Sequence, residues 1–120
     1  MRNIEVESNC AYIITDRLMR KYFSEFDVDE GILVLSKDVK YFIDPRYYNA
    51  VCDKIEKLGM FAICYKTKKD IVDNLKQSGI KDLFLDFDRT TVSEYNFYLQ
   101  NGFCVKDGAL CIKQKRAIKE

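Results

Sequence analysis

The chain has 120 residues, of which 48% are hydrophobic and 32% are charged, a composition typical of one soluble globular domain. Lysine and arginine total 20 and aspartate and glutamate total 19, so the overall charge favours neither nucleic acid nor an anionic membrane as a partner. The sequence has no histidine, which removes the commonest general base and the commonest zinc ligand. No apolar run approaches the roughly 20 residues that a membrane-spanning helix needs.

The cysteines are odd in number and include no C-x-x-C pair. Disulfides are rare in the cytosol, where thiols are kept reduced. We therefore expect free thiols that serve mostly as small core residues of a cytoplasmic protein, rather than a disulfide or a metal site. The five positions are Cys10, Cys52, Cys64, Cys104 and Cys111.

The first part of the chain predicts a strand, a helix and a hairpin. AYIIT (11–15) is a short strand of the buried type, and Asp16 can cap the helix that follows it. GILVLSK and VKYFID are two strands separated by the polar turn Lys37-Asp38, which indicates a hairpin. The apolar face of the helix is predicted to comprise Leu18, Met19, Tyr22, Phe23 and Phe26.

The middle of the chain has the strongest helix-boundary signals, in DPRYYNAVCDKIEKLG (44–59). Asp44 is a typical N-cap, Pro45 occupies the first helical position, and Gly59 ends the helix. MFAICY then predicts a strand, and a second helix follows near 68–78. The inward residues are predicted to be Tyr48, Val51, Cys52, Ile55 and Leu58 on the first helix and Ile71, Val72 and Leu75 on the second.

The stretch LFLDFDRTTV (83–92) allows two interpretations. A strand that ends in Asp-x-Asp-x-Thr resembles the motif with which haloacid-dehalogenase-like phosphatases present a nucleophilic aspartate, here Asp86. That motif normally has glycine where this chain has Arg89, and few residues remain for the lysine and the second acidic pair that the motif requires. A strand that turns into a helix is therefore the preferred interpretation.

The helix after this turn is predicted at 92–101. Thr91 and Glu94 have the spacing of a capping box, in which the hydroxyl accepts from the Glu94 N–H and the carboxylate reaches back to the Thr91 backbone. Its buried stripe is predicted to be Val92, Tyr95 and Leu99. Strands that alternate with helices, plus one hairpin, predict a single three-layer α/β/α domain over 1–120 with a mixed sheet of about five or six strands.

Four stretches of the chain resemble the N-terminal domain of the creatinase/prolidase family, in the same order and at the same spacing. Asp-Pro-Arg-Tyr (44–47) and Arg-Ala-Ile-Lys (116–119) are the most specific pieces, and the resemblance extends over residues 10–120. The stretches are NCAYIITDRLMRKYFSEF, GILVLSKDVKYFIDPRYYNAV, IKDLFLDFDRTTVSEYNFYL and IKQKRAIKE.

The resemblance implies a ribonuclease-H-like domain without catalytic residues or metal ligands. Full-length members are Xaa-Pro aminopeptidases, Xaa-Pro dipeptidases and creatinases, and a C-terminal "pita-bread" domain carries two divalent metal ions, commonly manganese. We therefore expect a noncatalytic domain whose partners are its own C-terminal catalytic domain (after residue 120), a second copy in a homodimer, and the peptide substrate. The alternative is a free-standing interaction module that has the same fold without enzymatic activity.

The resemblance also points to candidate residues for the rim of a substrate site. The loop Asp27-Val28-Asp29-Glu30 follows the first helix and is expected to lie near the active-site mouth of the partner subunit; the alternative is an ordinary acidic surface turn. Phe26, Asp27, Asp29 and Arg46 are the candidate rim residues, and for Arg46 packing at the start of its helix is the preferred interpretation. Glu25 stands where the family has glycine, which puts a positive-φ turn in doubt. The basic tail (113–120) is interpreted as a solvated linker helix rather than a nucleic-acid site.

Overall fold

The computed structural model describes residues 6–109 and arranges them as one six-stranded sheet between two pairs of helices. The elements are β1 (Cys10–Ile14), α1 (Arg17–Ser24), β2 (Ile32–Leu35), β3 (Lys40–Ile43), α2 (Pro45–Lys57), β4 (Phe61–Cys64), α3 (Lys68–Gln77), β5 (Asp82–Leu85), α4 (Val92–Gln100) and β6 (Cys104–Asp107).

The sheet has the strand order β4-β3-β2-β1-β5-β6, and β2 is antiparallel to both of its neighbours. The other adjacent pairs are parallel. The C-termini of β1, β3, β4, β5 and β6 therefore lie along one edge of the sheet, which we call the carboxyl edge. Because β2 runs the opposite way, the loop between α1 and β2 also meets this edge.

Each face of the sheet carries its own hydrophobic core. On one face, the core includes side chains from α3 and α4. On the other, it includes side chains from α1 and α2. Helices on both faces of a mostly parallel sheet bury its strands on both sides, as the apolar strand sequences require. The predicted three-layer domain with a mixed sheet is thus confirmed.

The predicted start of α1, both ends of α2 and the extent of α3 are confirmed, whereas Phe26, which was predicted on α1, lies beyond the end of that helix at Ser24. The Asp16 carboxylate accepts from the Met19 N–H at 3.1 Å, and the Asp44 carboxylate accepts from the Arg46 N–H at 2.9 Å. Pro45 opens α2, and Gly59 after it has a φ of 88°. All three predicted inward residues of α3 are buried. The hairpin of β2 and β3 also forms as predicted.

The predicted buried stripe of α4 is wrong. Val92 is 76% exposed and Leu99 is 46% exposed, whereas Tyr98 is 3% exposed. Apolar residues occur on both sides of this helix, with Phe97 packed against the core beside Tyr98, so helical spacing alone does not select the inward side. The outward face consequently carries exposed apolar side chains.

The predicted apolar face of α1 is confirmed for Met19, Tyr22 and Phe23 and is wrong for Leu18. Leu18 is 72% exposed, while Met19 and Phe23 face the core together with Arg20, which is only 4% exposed. The strands on either side of α1 fix its orientation, and that orientation places a guanidinium rather than a leucine on the inner side. A buried arginine in this position was not predicted.

Two local details differ from the sequence interpretation. Thr91 accepts from the Glu94 N–H at 3.1 Å, but the Glu94 carboxylate accepts from the Thr91 hydroxyl and not from its backbone. A second acid caps the start of α3, where Asp70 accepts from the N–H groups of Lys66 and Thr67 at 2.8 and 3.2 Å. This cap and strand β6 were not predicted individually.

The cysteines are less buried than the sequence predicted. Cys10 is buried and Cys52 is half-buried, but Cys64 and Cys104 are exposed, so the prediction of mostly core positions is wrong for these two. Each belongs to an edge strand, where only one neighbouring strand covers it. These four thiols are free, and Cys111 and the basic tail 113–120 lie outside the described residues. Within 6–109, no helix has the length and apolarity that crossing a membrane requires.

Candidate functional site

The candidate rim residues lie in or beside the loop 26–30, which we call the rim loop. The residues on either side of the loop both have positive φ angles, 61° at Glu25 before it and 150° at Gly31 after it. Glu25 continues to donate its N–H to the Lys21 carbonyl at 2.9 Å, so it ends α1 in the left-handed conformation that glycine usually adopts there. The substitution of glutamate for glycine therefore leaves the turn intact, and Glu25 is the one non-glycine residue of 6–109 with positive φ.

Gly31 connects the rim loop to β2 at a point of close backbone approach. A Cβ atom at this position would lie 2.7 Å from Cε1 of Tyr41 and 3.1 Å from the carbonyl oxygen of Phe42. Both neighbours belong to the buried strand β3. The backbone at Gly31 therefore passes so close to β3 that a side chain at this position would clash.

The side chains of the rim loop divide between the core and the surface. Phe26 and Val28 are half-buried and pack against the core on the α1 and α2 face. Asp27 and Asp29 point outward and are exposed. The carboxylates, and not the aromatic ring of Phe26, therefore form most of the loop's outer surface.

Arg17 binds both outward carboxylates of the rim loop. Its Nε lies 2.9 Å from Oδ1 of Asp27, and its Nη2 lies 2.8 Å from Oδ1 of Asp29. The hydrogen bond from Arg17 lowers the pKa of Asp27 below its usual value, and the same bond raises the pKa of Arg17. The acidic surface predicted here is therefore already paired with a cation.

Arg46 connects the rim loop to the start of α2. Its Nη2 lies 3.5 Å from the Glu30 carboxylate, its Nε lies 3.0 Å from Asp44, and its guanidinium lies 5.5 Å from the centre of the Tyr47 ring. The side-chain hydrogen bond from Arg46 lowers the pKa of Asp44. The structure thus brings Asp27, Asp29 and Arg46 to one edge of the domain.

Arg20 is a component of this site that the sequence analysis missed. Its guanidinium donates to the carbonyl oxygens of Thr15 at 3.0 Å, Val28 at 3.0 Å and Asp29 at 3.2 Å, and to the hydroxyl of Tyr41 at 2.8 Å. Tyr41 is fully buried, and burial raises the pKa of its hydroxyl. An arginine within the apolar stripe of a predicted helix was the one available sequence signal.

The site as a whole is almost neutral. It contains four carboxylates and three guanidinium groups, which leaves one net negative charge. Its members are Asp27, Asp29, Glu30 and Asp44, with Arg17, Arg20 and Arg46. A site of this composition offers little field to attract a charged ligand from a distance.

The turn that resembles a phosphatase motif lies at the same edge, between β5 and α4. The Asp86 carboxylate accepts from the Asp88 N–H at 3.0 Å, and the Thr90 hydroxyl donates to the Asp86 carbonyl at 2.6 Å. Arg89 lies 3.2 Å from Asp16 and 3.8 Å from Asp86, and thereby spans the crevice between β1 and β5. That crevice is small, with a volume of about 20 Å³. The geometry supports the strand-to-helix interpretation.

Comparison with solved structures identifies proteins of the same fold. An Xaa-Pro dipeptidase from Bacillus anthracis superposes with a TM-score of 0.67 at 20% identity, over 83% of this chain and 29% of that protein. An X-Pro aminopeptidase from Thermotoga maritima superposes with a TM-score of 0.72 at 17% identity, over 88% of this chain and 32% of that protein. The chain therefore spans about a third of the length of these two enzymes.

A third structure shows which part of such enzymes is shared. The N-terminal domain of an Xaa-Pro dipeptidase from Lactobacillus brevis superposes with a TM-score of 0.66 at 16% identity, over 87% of each chain. This chain has the fold of an Xaa-Pro peptidase N-terminal domain. The family resemblance noted in the sequence is thus confirmed at the level of the fold. No family model and no curated protein sequence matches the chain.

Metal ligands are not assembled in the described part of this N-terminal-type domain. Within residues 6–109, no three side chains of histidine, cysteine, aspartate or glutamate are grouped so that they could hold a metal ion. The carboxylates at the carboxyl edge instead cap helices and pair with arginines. These residues therefore do not fit a two-metal centre, and no catalytic step is assigned to them.

Proposed function

We propose that this chain is the noncatalytic N-terminal domain of a metal-dependent Xaa-Pro peptidase, in which it gates the access of peptides and contributes to a homodimer. The observation that supports this proposal is the fold shared with an isolated N-terminal domain of an Xaa-Pro dipeptidase, which covers 87% of both chains. Peptide hydrolysis would belong to a C-terminal catalytic domain with two divalent metal ions, manganese being the expected one. Such a pair activates a water molecule and polarises the scissile carbonyl.

The rim loop is the part of this domain that we assign to gating. Asp27 and Asp29 are exposed at the carboxyl edge, and Arg46 lies beside them. Phe26 packs against the core beneath the loop. Since Arg17 pairs with both aspartates and offsets one of their two charges, we expect the rim to limit the size of a peptide more than to attract its ammonium group. The longest peptide that the enzyme accepts would then depend on the position of the rim loop.

A cytoplasmic location is part of the proposal. Cys64 and Cys104 are exposed free thiols, and Cys10 and Cys52 are free as well. Exposed thiols persist in the reducing cytoplasm, whereas disulfides accumulate in secreted proteins.

A fusion enzyme tests the proposed function. Residues 1–120 would replace the corresponding N-terminal third of the Thermotoga maritima X-Pro aminopeptidase, and the catalytic domain alone and its fusion to an unrelated α/β domain would serve as controls. We expect the fusion to form dimers in sedimentation experiments and, with manganese, to favour short Xaa-Pro peptides more strongly than either control. A fusion that is monomeric and has the same length profile as the catalytic domain alone would contradict the proposal.

A free-standing interaction module is the second candidate, and one observation favours it. Phe87, Val92 and Leu99 are exposed to 40%, 76% and 46%; Phe87 lies in the turn before α4, and the other two lie on α4. Exposed apolar groups that lie close together are typical of protein contacts. A fusion enzyme that stays monomeric and keeps the length profile of the catalytic domain alone would support this second candidate, provided that the 120-residue chain itself folds.

A further inference from the structure

Arg20 is a charged side chain in a place where α1 would ordinarily carry an apolar one. It is 4% exposed and lies on the same side of the helix as Met19 and Phe23, which belong to the core. A buried guanidinium is costly unless its donors are satisfied, and arginine presents five N–H groups in a fixed plane. Such a residue is therefore expected to have a particular set of partners.

The partners of Arg20 are four neutral oxygen atoms from three separate parts of the chain. Nε donates to the Thr15 carbonyl after β1, and Nη1 donates to the Tyr41 hydroxyl in β3. Nη1 and Nη2 donate to the carbonyls of Val28 and Asp29 in the rim loop. One planar group thus connects two strands of the sheet to two consecutive peptide units of the loop.

The two arginines of α1 contact the rim loop in different ways. Arg17 is about half exposed and binds the side chains of Asp27 and Asp29. Arg20 is buried and binds the main chain of Val28 and Asp29. Exposed ion pairs contribute little to order, whereas hydrogen bonds from a buried guanidinium to part-buried carbonyls are costly to lose.

We infer that Arg20 is a positioning residue that fixes the path of the rim loop, while Arg17 only pairs with the loop's outer carboxylates. This inference rests on the proposed gating function, because the position of the loop has consequences only if a peptide passes it. Arg20 anchors the rim loop next to β1 and β3, and the fixed shape of the loop would then discriminate among peptides. Recognition of this kind depends weakly on salt, since the rim carries almost no net charge.

Hydrogen exchange of the 120-residue chain tests the positioning role directly. Arg20→Met removes all donors at similar volume, Arg20→Lys keeps the charge but not the planar set of donors, and Arg17→Met is the matched control on the same helix. We expect Arg20→Met to speed exchange at 26–31 roughly tenfold or more relative to β2 and β3, because two loop carbonyls lose their buried donors. Arg20→Lys is expected to give a smaller increase, and Arg17→Met almost none.

Other results would overturn the inference. An equal increase in the loop and in β2 and β3 would show that Arg20 stabilises the whole domain and does not position the loop. An increase as large in Arg17→Met would show that the outer ion pairs hold the loop. If Arg20→Met does not fold, Tyr41→Phe removes one of the four acceptors and keeps the ring, and unchanged exchange at 26–31 in both Tyr41→Phe and Arg20→Lys would overturn the inference equally.

The fusion enzyme separates this inference from the proposed function. Loosening of the loop by Arg20→Lys should raise kcat/KM for longer peptides relative to dipeptides by about threefold, as expected for an effect on access. Faster loop exchange with an unchanged length profile would support the positioning role and contradict gating. Unchanged loop exchange would overturn the positioning role whatever the kinetics show.

Discussion

Two acidic segments lie at the carboxyl edge of the sheet, and they are held in opposite ways. The rim loop (26–30) receives its hydrogen bonds and ion pairs from Arg17, Arg20 and Arg46, which lie outside it. The turn at 86–91 is held mostly by its own atoms, through the Asp88 N–H and the Thr90 hydroxyl. The first segment depends on side chains from elsewhere in the chain, whereas the second is held mainly by hydrogen bonds within the turn, with one ion pair from Arg89 to Asp16.

The comparison shows why carboxylates at a strand end do not by themselves make a binding site. In the turn, Asp86 orients the backbone that leads into α4. In the rim loop, Asp27 and Asp29 neutralise an arginine. What distinguishes the rim loop is its anchoring to the core, because an anchored loop has a defined shape that a partner or a peptide can meet.

The largest effect is expected where the rim loop enters β2. Gly31→Ala would place a Cβ 2.7 Å from Tyr41 and force a side chain into a φ of +150°, so unfolding should become easier by about 3 kcal/mol. Gly79→Ala is the matched control: its φ is +78° but its surroundings are open, so the cost should be about 1 kcal/mol. Urea unfolding measures both. Equal losses would mean that the contact with β3 is unimportant and that backbone conformation alone requires glycine.

A smaller effect is expected in the turn at 86–91. Thr90→Val keeps the shape of the side chain but removes the hydroxyl that donates to the Asp86 carbonyl at 2.6 Å, which should cost about 1 kcal/mol. Exchange at the amides of the rim loop should stay unchanged, since the two segments have separate supports. Ser93→Ala on the exposed side of α4 is the control. Faster exchange at 26–31 in Thr90→Val would show that the two segments are coupled and would end the contrast between them.

A substitution at Glu25, the residue before the rim loop, should raise the stability of the domain and not lower it. Glu25 adopts a φ of 61°, and glycine has no steric penalty there, so Glu25→Gly is expected to stabilise the domain by about 1 kcal/mol. Asp53→Gly, at an exposed position inside α2, should destabilise by about the same amount because glycine is unfavourable within a helix. A loss of stability in Glu25→Gly would indicate that the contacts of the Glu25 side chain outweigh its strained backbone.

The local features of the fold could be predicted from sequence, and the anchored loop could not. Asp44, Pro45 and Gly59 mark the ends of α2 through chemistry confined to a few neighbouring residues. Arg20 has its partners 5, 8, 9 and 21 residues away, so its role exists only after the sheet has formed. Helical spacing suggested an apolar face with Leu18, and the position of Arg20 among these apolar residues was the only local sign that it would turn inward.

The same limit applies to α4 and to the charges at the rim. Val92 and Leu99 have the spacing of a buried stripe, but Tyr98 and Phe97 supply a competing one, and packing against the sheet decides between them. The family resemblance also pointed to Asp27, Asp29 and Arg46 as candidate rim residues. Their near neutrality depends on Arg17, whose pairing with Asp27 spans ten residues of loop and helix.

The smallest effect is expected from the outer charges of the rim loop, and it should appear mainly in acid. The hydrogen bond from Arg17 places the pKa of Asp27 in the folded state below its value of 3.8 in the unfolded chain. The unfolded state therefore binds more protons between these two pKa values, so the contribution of Asp27 to stability is present above about pH 3.8 and is lost as the pH falls through the folded pKa. Asp27→Asn with Asp29→Asn should abolish this part of the pH dependence and change stability little at pH 7.

Thermal unfolding of wild type and double variant between pH 2.5 and 7, in low and high salt, measures the difference, which salt should reduce because both carboxylates are exposed. The rim-loop amides should remain protected in the double variant, since Arg20 still binds the carbonyls of Val28 and Asp29. If the double variant instead exchanged at 26–31 as fast as Arg20→Met, the loop would be held by its surface charges. The rim loop and the turn at 86–91 would then differ in whether ion pairs or neutral hydrogen bonds hold them. They would no longer differ in whether the segment is anchored to the core or held by its own atoms.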